Sequence, residues 1–263
     1  MTPRLLTIPI SHYGERARWA LDHAGVDYQE EHHLQMFSWV FALANRGRHT
    51  MPVLVTRGGV IPDSALIVRW ASARAAAPLY PTDARLRQEV ERVELDLAST
   101  YGVDGRLAAY DWFFRSWDMC LPYNQGRAPE AEARVIARLG EQARSAGKRR
   151  LGLTPTAVEI ALDSVDRTLD TIARRLSDGR RYLFGDTFTA ADLTFAALSA
   201  PNLLPARFPV PLPPPELIPE DARDRVIAWR DHPAGRFALR LYDERPAPRG
   251  RYLRPLRLRG ETR

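Results

Sequence analysis

Ser11-His12-Tyr13-Gly14-Glu15-Arg16-Ala17-Arg18 stands where the pattern of the chain changes period. Before it, residues 4–10 read Arg-Leu-Leu-Thr-Ile-Pro-Ile, a short apolar run halted by Pro9, as in a buried strand. After it, Ala17, Ala20, Leu21 and Ala24 fall at i, i+3, i+4 and i+7, and Gly25 stands where a helix is capped at its C-terminal end. The spacing predicts a helix from about Gly14 to Ala24, with a narrow apolar stripe and Ser11 in the turn that feeds it. A hydroxyl in that place has two readings. It caps the helix by accepting an orphan amide of the first turn. Alternatively it lines an anion site at the positive end of the helix macrodipole, where a bound thiol is held as the nucleophilic thiolate.

Working outward, residues 26–33 read as a second strand and 37–43 as a short helix. Met51-Pro52-Val53-Leu54-Val55 is a third strand with its proline at the entry, and Arg57-Gly58-Gly59 is a hairpin turn into Val60-Ile61. Asp63 or Ser64 then caps a helix carrying Leu66, Ile67 and Trp70, whose alanine-rich end runs to Ala77 before Pro78 and Pro81. The order β-α-β-α-β-β-α makes residues 1–77 a small α/β domain. It is too short for a doubly wound nucleotide fold and holds neither a GxGxxG nor a P-loop pattern.

From Asp83 onward the periodicity is helical: Leu86, Val90, Val93 and Leu97 first, then Val158, Ala161, Leu162, Val165, Leu169, Ile172 and Leu176. Residues 83–244 are therefore expected to form an all-α bundle. Tyr110-Asp111-Trp112-Phe113-Phe114-Arg115-Ser116-Trp117 is the densest aromatic segment, with Tyr110, Phe113 and Trp117 on one helical face. That face is either core or the wall of an apolar pocket. In Phe188-Thr189-Ala190-Ala191-Asp192-Leu193, Thr189 and Asp192 form a capping box and Phe188 with Leu193 a hydrophobic staple. Residues 201–219 hold the run Pro209-Val210-Pro211-Leu212-Pro213-Pro214-Pro215, an extended connecting loop or a docking segment for a proline-recognising partner.

Composition bounds the function. Apolar residues make up 45% and charged residues 27%, as in a well-cored soluble protein, with no run approaching a membrane span. The amino-terminal segment shows no export pattern. Cys120 is the only cysteine, which excludes an internal disulfide or a CxxC pair and fits a cytoplasmic setting; it reads as a small buried filler. Lys148 is the only lysine among 38 basic residues, an imbalance that hints at GC-rich coding and a bacterial source. His32 and His33 are adjacent in a strand and point to opposite faces, and no HExxH accompanies them, so no metal is expected. The net charge of +6 resides wholly in residues 245–263, an arginine-rich tail with three prolines, so residues 1–244 are neutral. The tail reads as a solvated or body-docked extension, or as a nucleic-acid arm; the neutral body gives no basic surface, and neither nucleic acid nor membrane is an expected partner.

Three segments, taken in order and spacing, resemble the cytosolic glutathione transferases. Ser11 to Arg18 is similar to that family's first loop and helix, Met51-Pro52 to its strand entry with a cis proline, and Asp63-Ser64 to the acidic-serine pair at the start of a helix. The resemblance covers residues 4–77 well and 83–200 in outline, including the Gly185 to Asp192 stretch. It implies a thioredoxin-like first domain, an all-helical second domain that contributes the hydrophobic substrate site, and a two-fold homodimer. It also implies that glutathione is the thiol cosubstrate. By position Ser11 meets the sulfur, with Tyr13 the competing activator; Tyr13 is otherwise a packing residue. Met51 and Pro52 expose backbone to the cysteinyl part, and Asp63 and Ser64 receive the γ-glutamyl end. For the glycyl carboxylate the nearest basic residues are Arg48 and His49, either of which is otherwise simply exposed. At Gly14 the sequence departs from relatives that carry cysteine, which argues against disulfide exchange and for thiolate activation alone.

The resemblance implies transfer of glutathione sulfur to a hydrophobic electrophile lodged against Tyr110, Phe113 and Trp117. Two alternatives stand beside it: a non-catalytic binding or interaction protein on the same fold, and a glutathione-dependent isomerase or lyase using the same site.

Overall fold

The computed structural model describes residues 2–45, 50–125 and 127–253. The first domain is built from β1 (Arg4–Thr7), α1 (His12–His23), β2 (Tyr28–His32), α2 (Gln35–Ala44), β3 (Val53–Thr56), β4 (Gly59–Ile61) and α3 (Ser64–Ser72), in the order expected. β1 pairs parallel with β2 and antiparallel with β3, and β3 pairs antiparallel with β4. The second domain is helical: α4 (Ala84–Asp96), α5 (Gly102–Arg115), α6 (Trp117–Gln125), α7 (Glu130–Leu151), α8 (Pro155–Leu176), α9 (Ala190–Leu203), α10 (Glu220–Asp231) and α11 (Pro233–Asp243). A single π turn, Leu97–Tyr101, carries α4 into α5 without a break.

Several sequence expectations are corrected. α1 begins two residues earlier than expected, because Ser11 is its N-cap. It is also buried on every side, packed against α3 and α9, so the predicted stripe understates its burial. α3 stops at Ser72 and does not reach Ala77, because the Ser72 hydroxyl accepts the Leu79 N–H at 2.9 Å and turns the chain back. Trp117 does not share a helix with Tyr110 and Phe113. Ser116 leaves helical geometry at φ −106°, and its carbonyl then accepts the amides of Met119 and Cys120 to start α6. Pro201 lies inside the last turn of α9, so the connecting loop begins after Leu203.

The tail is the largest addition. β5 (Gly250–Tyr252) pairs parallel with β2, extending the sheet to the order β4-β3-β1-β2-β5. The part of the tail from Arg254 onward lies outside the described residues. The main core runs across both domains, joining Leu5, Trp19, Leu54 and Ile67 of the first to Val165, Leu193, Phe195 and Leu198 of the second. Its central helix, α9, starts as the motif specifies. Asp192 accepts from the Thr189 N–H at 2.8 Å, the Thr189 hydroxyl at 2.7 Å and the Leu183 N–H at 2.7 Å, all buried.

Candidate functional site

Ser11 has extended backbone (φ −69°, ψ 122°), and its carbonyl accepts the Glu15 N–H at 2.8 Å while its Oγ accepts the Gly14 N–H at 3.0 Å. A hydroxyl oxygen that accepts in this way keeps its own proton for donation, and the bond it receives makes it the better donor. The amides of His12 and Tyr13, in the first turn, have no carbonyl of their own helix to meet. Both readings of Ser11 are thus compatible: the cap holds the hydroxyl in the place where a helix favours an anion. Gly14 lets the cap close, since a Cβ there would stand 3.3 Å from Ser11 Cβ and 3.4 Å from Thr7 Cγ2.

The two residues after Ser11 reach into the second domain. His12 is buried, its Nε2 donates to the Gly102 carbonyl at 2.8 Å, and the Tyr13 hydroxyl donates to the Ala98 carbonyl at 2.6 Å. Both acceptors belong to the π turn or its edge, where the ladder of the helix is widened. Tyr13 is half-buried, and burial raises its pKa; its proton is committed to a backbone oxygen. Burial, assisted by the positive Arg106, pushes the His12 pKa down to about 3, against the raising effect of the Gly102 carbonyl. His12 is a neutral strut, protonated on Nε2.

The Met51–Pro52 peptide is cis, and Met51 packs beside Leu6 and Val53. Asp63 is the N-cap of α3, its Oδ1 accepting the Leu66 N–H at 2.9 Å. Ser64 is the first residue of that helix, buried, with Oγ accepting from Arg16 Nη1 at 3.3 Å. Arg16 therefore ties the N-terminus of α3 to α1, and its remaining donors reach Glu94 of α4 and Thr194 Oγ1 of α9, the latter at 2.9 Å. Tyr80 also donates to Glu94, at 2.9 and 2.8 Å to its two oxygens. Arg48 and His49 lie outside the described residues.

Of the aromatic block, Phe113 is buried while Tyr110 and Trp117 are half-buried. Phe114 stacks on Trp117 with ring centroids 5.4 Å apart, and Phe113 meets Tyr110 and Trp117 edge-on at 6.0 and 5.8 Å. The Tyr110 hydroxyl accepts from Gln35 Nε2 at 3.3 Å, which joins this block to the start of α2. Cys120 is fully buried, and burial pushes its thiol up to about 11. Among the described residues no group of His, Cys, Asp or Glu is placed to hold a metal, and no helix is long and apolar enough to cross a membrane.

Sequence reasoning missed the polar contacts that seat α2. Its N-cap, Leu34, has no polar side chain, and Glu132 of α7 supplies the acceptor, taking the Leu34 N–H at 2.8 Å. The other Glu132 oxygen is 2.7 Å from His33 Nδ1, and Glu31 is 2.9 Å from His33 Nε2. Burial opposes the charge on His33, but these two carboxylates raise its pKa above the usual range. Gln35 and Asn124 exchange amide hydrogen bonds at 2.9 Å in both directions. No local pattern marks the contacts of Glu132 with His33 and Leu34, whose partners lie about a hundred residues apart in sequence.

The family model described as "Glutathione S-transferase, N-terminal domain" matches residues 5–79, and that for the "Glutathione S-transferase, C-terminal domain" matches residues 141–232. No curated protein matches the chain in sequence. Among solved structures, a glutathione S-transferase from Rhodospirillum rubrum superposes with a TM-score of 0.62 at 20% identity, covering 93% of this chain and 89% of that one. The beta-etherase LigF from a Sphingobium species gives 0.59 at 18%, covering 93% and 99%. A glutathione S-transferase from Methylobacillus flagellatus with glutathione bound gives 0.52 at 18%, covering 90% and 98%. At these identities the likeness is one of fold.

Proposed function

The chain belongs to the glutathione S-transferase family, and on that premise we propose that it binds glutathione on the first domain and transfers the sulfur to a hydrophobic electrophile. What carries the reading is the Ser11 hydroxyl, held at the N-terminus of α1 by the Gly14 amide 3.0 Å away. Ser11 donates to the sulfur and need not accept a proton: hydrogen bonding and the helix dipole lower the thiol pKa and hold the thiolate. Tyr13, with its proton on Ala98, supports the loop and does not activate the sulfur. The Met51 backbone pairs with the cysteinyl part, and Asp63 and Ser64 with the γ-glutamyl end at the first turn of α3. The thiolate forms a bond to the electrophilic carbon, and the leaving group departs with the bonding pair. Tyr110, Phe113 and Trp117 supply an apolar wall for that carbon skeleton.

Calorimetry with glutathione, followed by halide release from a halonitroarene, tests the reading. We expect binding and stoichiometric thioether formation; no detectable heat at millimolar glutathione would overturn it. A second reading is ether cleavage, favoured by the likeness in fold to the beta-etherase. There the thiolate attacks the carbon bearing an aryloxy group, the C–O bond breaks and a phenolate leaves. Phenol release from a β-aryl ether, with no turnover of the haloarene, would select it. The same family reading carries a two-fold homodimer in the cytoplasm, and sedimentation of the purified chain tests the dimer.

A further inference from the structure

Behind the Ser11 loop lies a cluster of buried charge that the transfer reaction does not use. Arg18, on α1, sends its Nη2 to the carbonyls of Pro9 at 3.0 Å and Ile8 at 3.4 Å and to Thr7 Oγ1 at 3.2 Å. The Ile8 carbonyl also accepts the Ser11 N–H at 3.0 Å, so one guanidinium grips the loop that presents Ser11. The other donors of Arg18 meet carboxylates, Nε reaching Glu30 at 2.7 Å and Nη1 reaching Glu15 at a long 3.4 Å. Glu15 has a closer partner. Arg245, the first residue after Glu244 in the tail, pairs with Glu15 through Nη1 and with Asp22 through Nη2 at 2.8 Å. The tail is then fastened down: the Arg249 N–H donates to Asp22 at 2.8 Å, β5 pairs with β2, and the Leu253 N–H donates to the Glu30 carbonyl at 2.8 Å.

The cluster thus sets two guanidiniums against three carboxylates, Glu15, Asp22 and Glu30, all buried. Without Arg245, Arg18 would be the guanidinium left to both Glu15 and Glu30, and Glu15 would draw it away from the neutral carbonyls, since a charged acceptor outcompetes a neutral one. We propose that Arg245 is a positioning residue for Ser11: by neutralising Glu15 and Asp22 it leaves Arg18 on the Ile8 and Pro9 carbonyls, and so holds the loop that presents the hydroxyl. The consequence for thiol chemistry rests on Ser11 being the donor to the sulfur; the consequence for the loop does not.

The test uses the full chain with Arg245→Gln and with the double change Glu15→Gln/Arg245→Gln, in which the competing carboxylate is removed as well. Hydrogen exchange of the Ser11 and Gly14 amides reads the loop without any ligand. Arg245→Gln should speed it about tenfold while the α9 amides keep their protection, and the double variant should return to the wild-type rate. With glutathione bound, Arg245→Gln should raise the thiol pKa by about one unit and lower kcat about tenfold, with KM changed less than about twofold. Unchanged exchange in folded Arg245→Gln would overturn the proposal, as would a loosened loop with an unmoved thiol pKa. If Arg245→Gln does not fold, the double variant decides, and fast exchange there would count against the mechanism. Should the wild type bind no glutathione, the functional reading fails while the exchange result still judges the loop.

Discussion

His12 and Gly102 are bound across the domain boundary, Nε2 to carbonyl oxygen, at 2.8 Å in a buried position. Both the neutral Nε2–H ring and the charged ring can donate this bond; burial decides the protonation, lowering the pKa from 6.5 to about 3. The unfolded chain therefore takes up a proton below pH 6.5 that the folded chain refuses. The stabilising contribution is whole above pH 6.5, shrinks as the pH falls, and is gone by about pH 3. Between pH 7 and pH 5 the wild type should lose about 2 kcal/mol more than His12→Gln, which keeps a donor and does not titrate. Urea denaturation of the two proteins at both pH values checks this, and parallel losses would remove His12 from the acid response.

Arg16 joins α1 to α3, α4 and α9 through Ser64, Glu94 and Thr194, with both charged partners nearly inaccessible. Arg16→Met takes the guanidinium from buried Glu94 and leaves the Tyr80 hydroxyl as its hydrogen-bond donor among the described residues. The cost should be about 3 to 5 kcal/mol, as for other buried pairs broken on one side. Adding Glu94→Gln should recover a large part of the loss in a denaturant midpoint, because the orphaned charge goes with it. Additive losses in the double variant would contradict the pairing.

Asp192 holds the start of α9, and its loss is expected to act on the fold and not on glutathione binding. Asp192→Ala leaves the Thr189 and Leu183 amides and the Thr189 hydroxyl without their shared acceptor, in a place closed to water. Stability should fall by about 3 kcal/mol. Glutathione affinity at temperatures where the variant is folded should stay within about twofold of the wild type. Thermal melts and calorimetry on one preparation measure both.

Local signals made the first domain legible. A strand stopped by Pro9, a hairpin at Gly58-Gly59 and caps at Ser11 and Asp63 each act within a few residues, and the structure places them where those rules put them. Burial of charge was not legible. The apolar stripe of Ala17, Ala20, Leu21 and Ala24 leaves out Arg16 and Arg18, which are buried because Glu94 of α4 and Glu30 of β2 meet their charge. The spacing of Trp117 fits the helical face of Tyr110 and Phe113, while the break at Ser116 comes from no proline or glycine. The tail reads as basic because it holds seven arginines and one acid, yet Arg245 and Arg249 are matched to Glu15, Asp22 and Asp27 of the first domain. The loop of Ser11 was thus visible from sequence, and its support was not.

The Ser11 hydroxyl, fixed by the Gly14 amide at 3.0 Å, is expected to stabilise a bound thiolate. Titrating the ultraviolet absorbance of enzyme-bound glutathione against pH, in the wild type and in Ser11→Ala, tests it most directly. The bound thiol should ionise below the free thiol in the wild type and about one to two units higher in Ser11→Ala, with glutathione still bound. A bound-thiol pKa that is the same in both proteins would remove Ser11 from the role.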